Sequence, residues 1–130
     1  MTKAEADADN SALSKLISAL DATAGALKKD GCGAWHVAGT RGHIHFDGST
    51  WTIYIQCRSP LGWTWAKKKL GLPVVQDGDE EGCMRLDSLP DRKLAGKIRA
   101  AIGLRKAPSL SADERERRAA HMKRVKSPPL

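Results

Sequence analysis

No apolar run in the 130 residues approaches the ~20 that a bilayer-crossing helix needs. The opening string MTKAEADADNSALSKL also lacks the basic-then-apolar layout of a secretion signal. The expectation is therefore a chain with no membrane partner and a cytoplasmic address. Cysteine is scarce: Cys32, Cys57 and Cys83 are odd in number and widely spaced, with no C-x-x-C pair. That pattern suits free thiols in a reducing compartment rather than a disulfide framework. Phenylalanine and tyrosine occur once each, so the four tryptophans must supply most of the aromatic volume of any core. Motifs of covalent and phosphoryl chemistry are missing as well. There is no G-x-S-x-G, no phosphate-binding P-loop and no dinucleotide fingerprint, so a non-enzymatic protein without cofactor or small-molecule substrate is expected, with a metal-dependent hydrolase at His43 and His45 as the enzymatic alternative.

What the chain has instead is positive charge, unevenly spread. The net charge is +7. Residues 105 to 130 carry eight Lys/Arg against three acids, a net of +5, which leaves +2 for the first 104 residues. A nearly balanced domain followed by a basic segment is suited to docking on polyanions. At this length one domain is expected, and a core forms without staples because roughly two thirds of the chain's surface is buried on folding.

Hydrophobic periodicity divides the chain into elements. Residues 1–10 are small and acidic without a period, which predicts a disordered terminus. Leu13, Leu16, Ile17, Leu20, Ala24 and Leu27 then recur at helical steps, with Asn10 or Ser11 as cap and Lys28, Lys29 and Gly31 at the end. Beyond Gly31 the period becomes two. Ile44 and Phe46 alternate with His43 and His45, and Trp51, Ile53, Ile55 and Cys57 alternate with Thr52, Tyr54 and Gln56. Asp47-Gly48 between them is a hairpin turn signal. A loop of two or of four residues places the apolar faces of both strands on one side. A short earlier strand is expected near residues 34–37.

Ser59-Pro60 opens a second helix, stopped by Gly71 and Pro73. A further strand pair follows at residues 73–76 and 83–87. The string SLPD at 88–91 starts a helix ended by Gly103, and SADE at 111–114 is a capping box for a last basic helix. The predicted fold is α+β, a small antiparallel sheet of two β-hairpins packed with helices in the order α-ββ-α-ββ-α, plus the basic C-terminal helix. Its domain is residues 11–105, and residues 106–130 form a basic helical tail.

Four groups of residues carry possible chemistry. His43, His45 and Asp47 form H-x-H-x-D, which resembles the start of the metal motif of metallo-β-lactamase-type hydrolases. That family continues with a histidine directly after the aspartate, where this chain has Gly48. A catalytic zinc takes three protein ligands and an open position, so a site here needs His36 or Cys32 as a third donor. The competing account places both imidazoles on the solvent face of the hairpin and gives Asp47 to the turn. Asp77, Asp79 and Glu81 before Gly82 resemble the first positions of an EF-hand loop, but its twelfth position, a bidentate glutamate, is Ser88 here. The third group is Trp63 and Trp65 beside Lys67, Lys68 and Lys69. One indole belongs to the core, and Trp65 is the candidate for the surface, where it can stack on a base next to phosphate contacts; the competing account buries both rings between the sheet and neighbouring helices. Lys67, Lys68 and Lys69 supply the phosphate contacts together with the last group: Arg92, Lys93, Lys97 and Arg99 on the third helix, and Arg115, Arg117, Arg118, Lys123 and Arg124 on the tail.

The strings GTRGHIHFDGSTWTIYI, QDGDEEGCMRLDSLPD and AGKIRAAIGLRK, over residues 39–106, resemble a group of uncharacterised small bacterial and prophage-associated proteins. The resemblance implies an accessory, phage-related role and transfers no site residues, because the group has no established activity. The leading expectation is a non-enzymatic protein that binds nucleic acid weakly and without sequence preference. The alternative is a protein-interaction module, such as a phage-encoded modulator of a host complex, whose partner is a protein or nucleoprotein. Truncation after Lys106 is expected to lower nucleic-acid affinity at low salt and to flatten its salt dependence, as measured by fluorescence anisotropy against the full chain.

Overall fold

The computed structural model describes residues 2–108, and the tail positions Arg115, Arg117, Arg118, Lys123 and Arg124 lie outside the described residues. The chain opens with α1 (Lys3–Leu20), not with a disordered terminus. Thr2 and Glu5 form a capping box, in which the Glu5 N–H donates to the Thr2 hydroxyl at 3.1 Å and the Thr2 N–H to the Glu5 carboxylate at 3.3 Å. With its first donors satisfied and alanine frequent in its first two turns, the polar segment is helical despite lacking an apolar stripe.

The same helix stops seven residues earlier than its stripe predicts. Asp21 takes a left-handed backbone (φ 53°) and its N–H closes on the carbonyls of Ile17 and Ser18. The chain that follows is claimed by a distant segment: the Thr23 N–H donates to the Arg105 carbonyl, and the Ala107 N–H to the Asp21 carbonyl. Ala22 bridges Lys106 between them. Long-range pairing thus overrides the helical spacing of Ala24 and Leu27. It also fixes residues 105–107 to the domain, two residues past its predicted limit.

Six strands follow rather than four: β1 (Leu27–Lys29), β2 (Trp35–Ala38), β3 (Gly42–Phe46), β4 (Trp51–Gln56), β5 (Val74–Asp77) and β6 (Glu81–Leu86). They form one antiparallel sheet in the order β1-β2-β3-β4-β6-β5. The architecture is α+β, with the two expected hairpins joined side by side through β4 and β6 and extended by the short strands β1 and β2. Helix α2 (Pro60–Leu70) has Ser59 as cap, Pro60 in the first turn and Gly71 in the left-handed conformation at its end, as the sequence predicts. Helix α3 (Arg92–Ile102) is capped by Asp91 and closed by Gly103. Among the described residues no helix is long and apolar enough to cross a membrane.

All three helices lie on one face of the sheet. Val37, Ile44, Ile53, Ile55, Met84 and Leu86 point into that layer and meet Leu13, Leu16, Ile17 and Leu20 of α1, Trp63 and Leu70 of α2, and Ala95, Ile98 and Ile102 of α3. Ile44, Ile53, Ile55 and Met84 are fully buried. Each such side chain contributes about 1.5–3 kcal/mol. A one-residue slip of register would expose all four and remove a sum comparable to a domain's whole stability of about 5–15 kcal/mol. Burial therefore fixes the register, and Ile44 stands opposite Ile53 and Phe46 opposite Trp51 across a four-residue loop.

That loop is built by one carboxylate. Asp47 accepts from the backbone N–H groups of Ser49 (3.0 Å) and Thr50 (2.7 Å) and from the Thr50 hydroxyl (2.9 Å). These bonds, the Thr50 and Ser49 N–H groups first, hold its pKa down at about 2. A depressed carboxylate stabilises the fold above its unfolded pKa of about 3.9 and loses that contribution as pH falls through the folded value. Asp47→Ala is expected to lower the melting temperature at pH 7 and to narrow its gap from wild type between pH 4 and 2, as followed by circular dichroism. At the other end of the hairpin pair, Gly82 lies under the Trp63 indole, and a Cβ there would overlap both that ring and the Gln76 carbonyl. Gly82→Ala should destabilise the domain by about 1–3 kcal/mol in urea unfolding.

Candidate nucleic-acid interface

The two tryptophans of α2 go to opposite environments because they are two residues apart on a helix. Trp63 is buried at 1% exposure against the sheet, whereas Trp65 is 53% exposed. The Trp63 indole N–H donates to Asp77 Oδ1 at 2.7 Å, and the Lys67 ammonium binds the same carboxylate at 3.0 Å. Both bonds lower the Asp77 pKa, that of Trp63 most. They anchor α2 to the end of β5 and leave Lys67 committed to an internal partner.

Trp65 walls a groove between α2 and α3 with a volume of about 610 Å³. The floor is made of small residues, Gly62 and Ala66 from α2 and Gly96 and Ala100 from α3, so the helices present little bulk there. Lys69, Lys93 and Lys97 stand around the rim, and the Lys68 ammonium lies 5.8 Å from the Trp65 ring. Among the described residues, no acidic residue lines the groove. Neither α2 nor α3 contains an Asp or Glu at any position, while the two together carry seven Lys/Arg. Cys57 also reaches the groove; burial pushes its thiol pKa upward, which suits packing rather than nucleophilic attack.

Of the expected nucleic-acid contacts on the described residues, Trp65, Lys68, Lys69, Lys93 and Lys97 are brought together. The others are not. Arg99 donates to the Leu20 carbonyl at the end of α1, where it closes the helix. Arg92 lines a separate hollow with Arg99, Asp21 and Lys106. The floor residues escaped the sequence reading, although the signal was present: Gly62 and Ala66, like Gly96 and Ala100, are four apart and hence on one helical face.

Among the described residues, no helix covers the other face of the sheet. Strand alternation places His36, His43, His45, Thr52 and Tyr54 there, together with Cys83 and Arg85. Three of the four histidines therefore gather in one patch. Ring centroids are 4.6 Å apart for His43 and His45, 5.7 Å for His36 and His45, and 6.5 Å for His36 and His43. His43 also stacks on Tyr54 at 4.8 Å. Burial first, then the neighbouring imidazoles of His45 and His36, lowers the His43 pKa; His45 is lowered by burial and by His36, against an opposing pull from Asp30. Among the described residues, no three His, Cys, Asp or Glu side chains stand in a ready-made metal-binding arrangement.

Both metal motifs read from the sequence lose members, the first to a turn and the second to strand pairing. Asp47 is spent on its own turn, so H-x-H-x-D is not a ligand set. Asp77 pairs with Gly82 and faces the helices, whereas Glu81 pairs with Gln56 on the open face and accepts from the Tyr54 hydroxyl. Asp79 lies between them in a tight turn closed by the Gly78 N–H on the Glu81 carbonyl at 2.8 Å. Opposite sides of one hairpin cannot form a single calcium loop. Compared with known proteins, the chain matches no protein-family model, no curated protein and no solved structure.

Proposed function

We propose that this chain is a non-enzymatic nucleic-acid-binding domain that holds single-stranded nucleic acid without sequence preference in the groove between α2 and α3. The observation that carries the reading is a half-exposed indole set among lysines from two helices that contain no acid. Every base has a π-face, so stacking on Trp65 is indifferent to sequence and contributes about 1–3 kcal/mol per base. Lys69, Lys93 and Lys97 at the rim, with Lys68 against the ring, supply phosphate contacts on both sides of the stacked base. The small floor residues admit the flat edge of the base. A duplex, whose bases are already stacked, gains only the phosphate term.

The basic residues past position 108 extend the same electrostatic contact in this reading, and a phage-related accessory role is compatible with it. Leu61, 65% exposed on α2, is the feature that favours the second reading, a protein partner seated on the same helix. The two readings separate on one set of measurements. With oligo(dT) and matched duplex, Trp65→Ala should weaken single-strand binding about tenfold and leave duplex binding nearly unchanged. The triple variant Lys69→Glu, Lys93→Glu, Lys97→Glu should abolish both at low salt. Each phosphate contact accounts for about 0.7 of the log–log salt slope on single strands, so three neutral replacements with glutamine should flatten it by about 2. Equal affinity of wild type and the triple glutamate variant would contradict the proposal.

A further inference from the structure

The open face of the sheet holds a second feature that the groove does not use. His43 and His45 are neighbours along one strand face, and antiparallel pairing of β2 with β3, which sets Val37 against Ile44, brings His36 beside them. A zinc-type ion binds imidazole nitrogen at 2.0–2.1 Å, which puts the ring centroids of a three-histidine tetrahedral site about 5 Å apart. The centroid separations of 4.6, 5.7 and 6.5 Å bracket that value. Among the described residues no group of three or more His, Cys, Asp or Glu side chains is placed to hold a metal ion, so the three rings have to turn to share one. Turning them is inexpensive. The outer side-chain torsion of histidine is broad, and no hydrogen bond among the described residues restrains any of the three rings. His36 Nδ1 is buried without a partner, so it loses nothing on reorientation.

We propose that His36, His43 and His45 together bind one divalent transition-metal ion of the zinc, cobalt, nickel or copper class, each through one ring nitrogen. The class follows from the donors: three neutral nitrogens suit borderline ions, not magnesium or calcium. The fourth position is left to water, because among the described residues no helix covers β2, β3 and β4 on this side. Asp30 supplies compensating negative charge beside His36 and His45; its Oδ1 is fixed in the β1–β2 turn by the N–H groups of Cys32 (2.9 Å) and Ala34 (3.0 Å). His43 leaves or tilts its stack on Tyr54 when it binds, so the tyrosine reports occupancy. Asp47 has no part in the site, which distinguishes it from an H-x-H-x-D centre.

The test uses the full chain under reducing conditions, titrated with cobalt(II) and zinc(II). The expected result is one ion per chain, a tetrahedral cobalt d–d spectrum without a thiolate charge-transfer band, and movement of three histidine ring signals by NMR. His36→Ala, His43→Ala and His45→Ala should each weaken binding by at least about tenfold, while His121→Ala and Cys32→Ser should not. The NMR readout needs no variant and stands even if one of them folds poorly. The proposal is overturned by the absence of stoichiometric binding, by affinity that survives loss of any one of the three, or by affinity that falls with His121→Ala or Cys32→Ser.

Discussion

Side-chain alternation across β2, β3, β4 and β6 is the constraint on which the rest of the molecule depends. Because Val37, Ile44, Ile53, Ile55, Met84 and Leu86 must all enter the same layer, the odd and even positions of every strand are assigned at once. One consequence is the covered face, where α1, α2 and α3 find their apolar surface. The other is the bare face, where the residues left over have no choice but to meet. Three histidines, a tyrosine and an arginine share that face because their neighbours were taken by the core.

On the helical side the decisive chemistry is the absence of acid. Positive side chains on α2 and α3 can be satisfied internally only by partners from other elements, and Asp77 does this for Lys67 alone. Arg99 is drawn off by a carbonyl of α1. The lysines that remain, at 68, 69, 93 and 97, converge around Trp65 because the helices pack through small residues and leave a groove between them. Among the described residues none of these four ammonium groups is in an ion pair, so the cluster gains little for folding and costs repulsion, which is the ground for proposing a polyanion contact there.

Much of this was legible in the sequence where local and global preferences agree. Ser59, Pro60, Gly71 and Gly103 mark helix ends in the structure as in the sequence, and the parity of β3 and β4 follows from Ile44 and Ile53 without regard to loop length. The division of labour between Trp63 and Trp65 was readable only in part, because helical spacing offers Trp65 as the surface ring while the shortage of other aromatics argues for burying both. The failures have causes outside hydrophobic periodicity. Thr2 and Glu5 start a helix by reciprocal hydrogen bonds that carry no hydrophobic period, and Leu27 leaves its helix because residues 105–107 pair with the chain at 21–23. That second interaction spans more than eighty residues and leaves no local trace. Asp77 and Glu81, four apart in a glycine-rich acidic string, read as one cluster until strand pairing sends them to opposite faces.

The central claim is that the two faces of one sheet do different work, with nucleic acid confined to the helical side. Chemical-shift mapping of the labelled full chain with oligo(dT) addresses it directly. The account predicts movement of the Trp65 indole N–H and of backbone amides at Lys69, Lys93 and Lys97, with the signals of His36, His43 and His45 unmoved. Shifts centred on the histidine face, or none along α2 and α3, would contradict it.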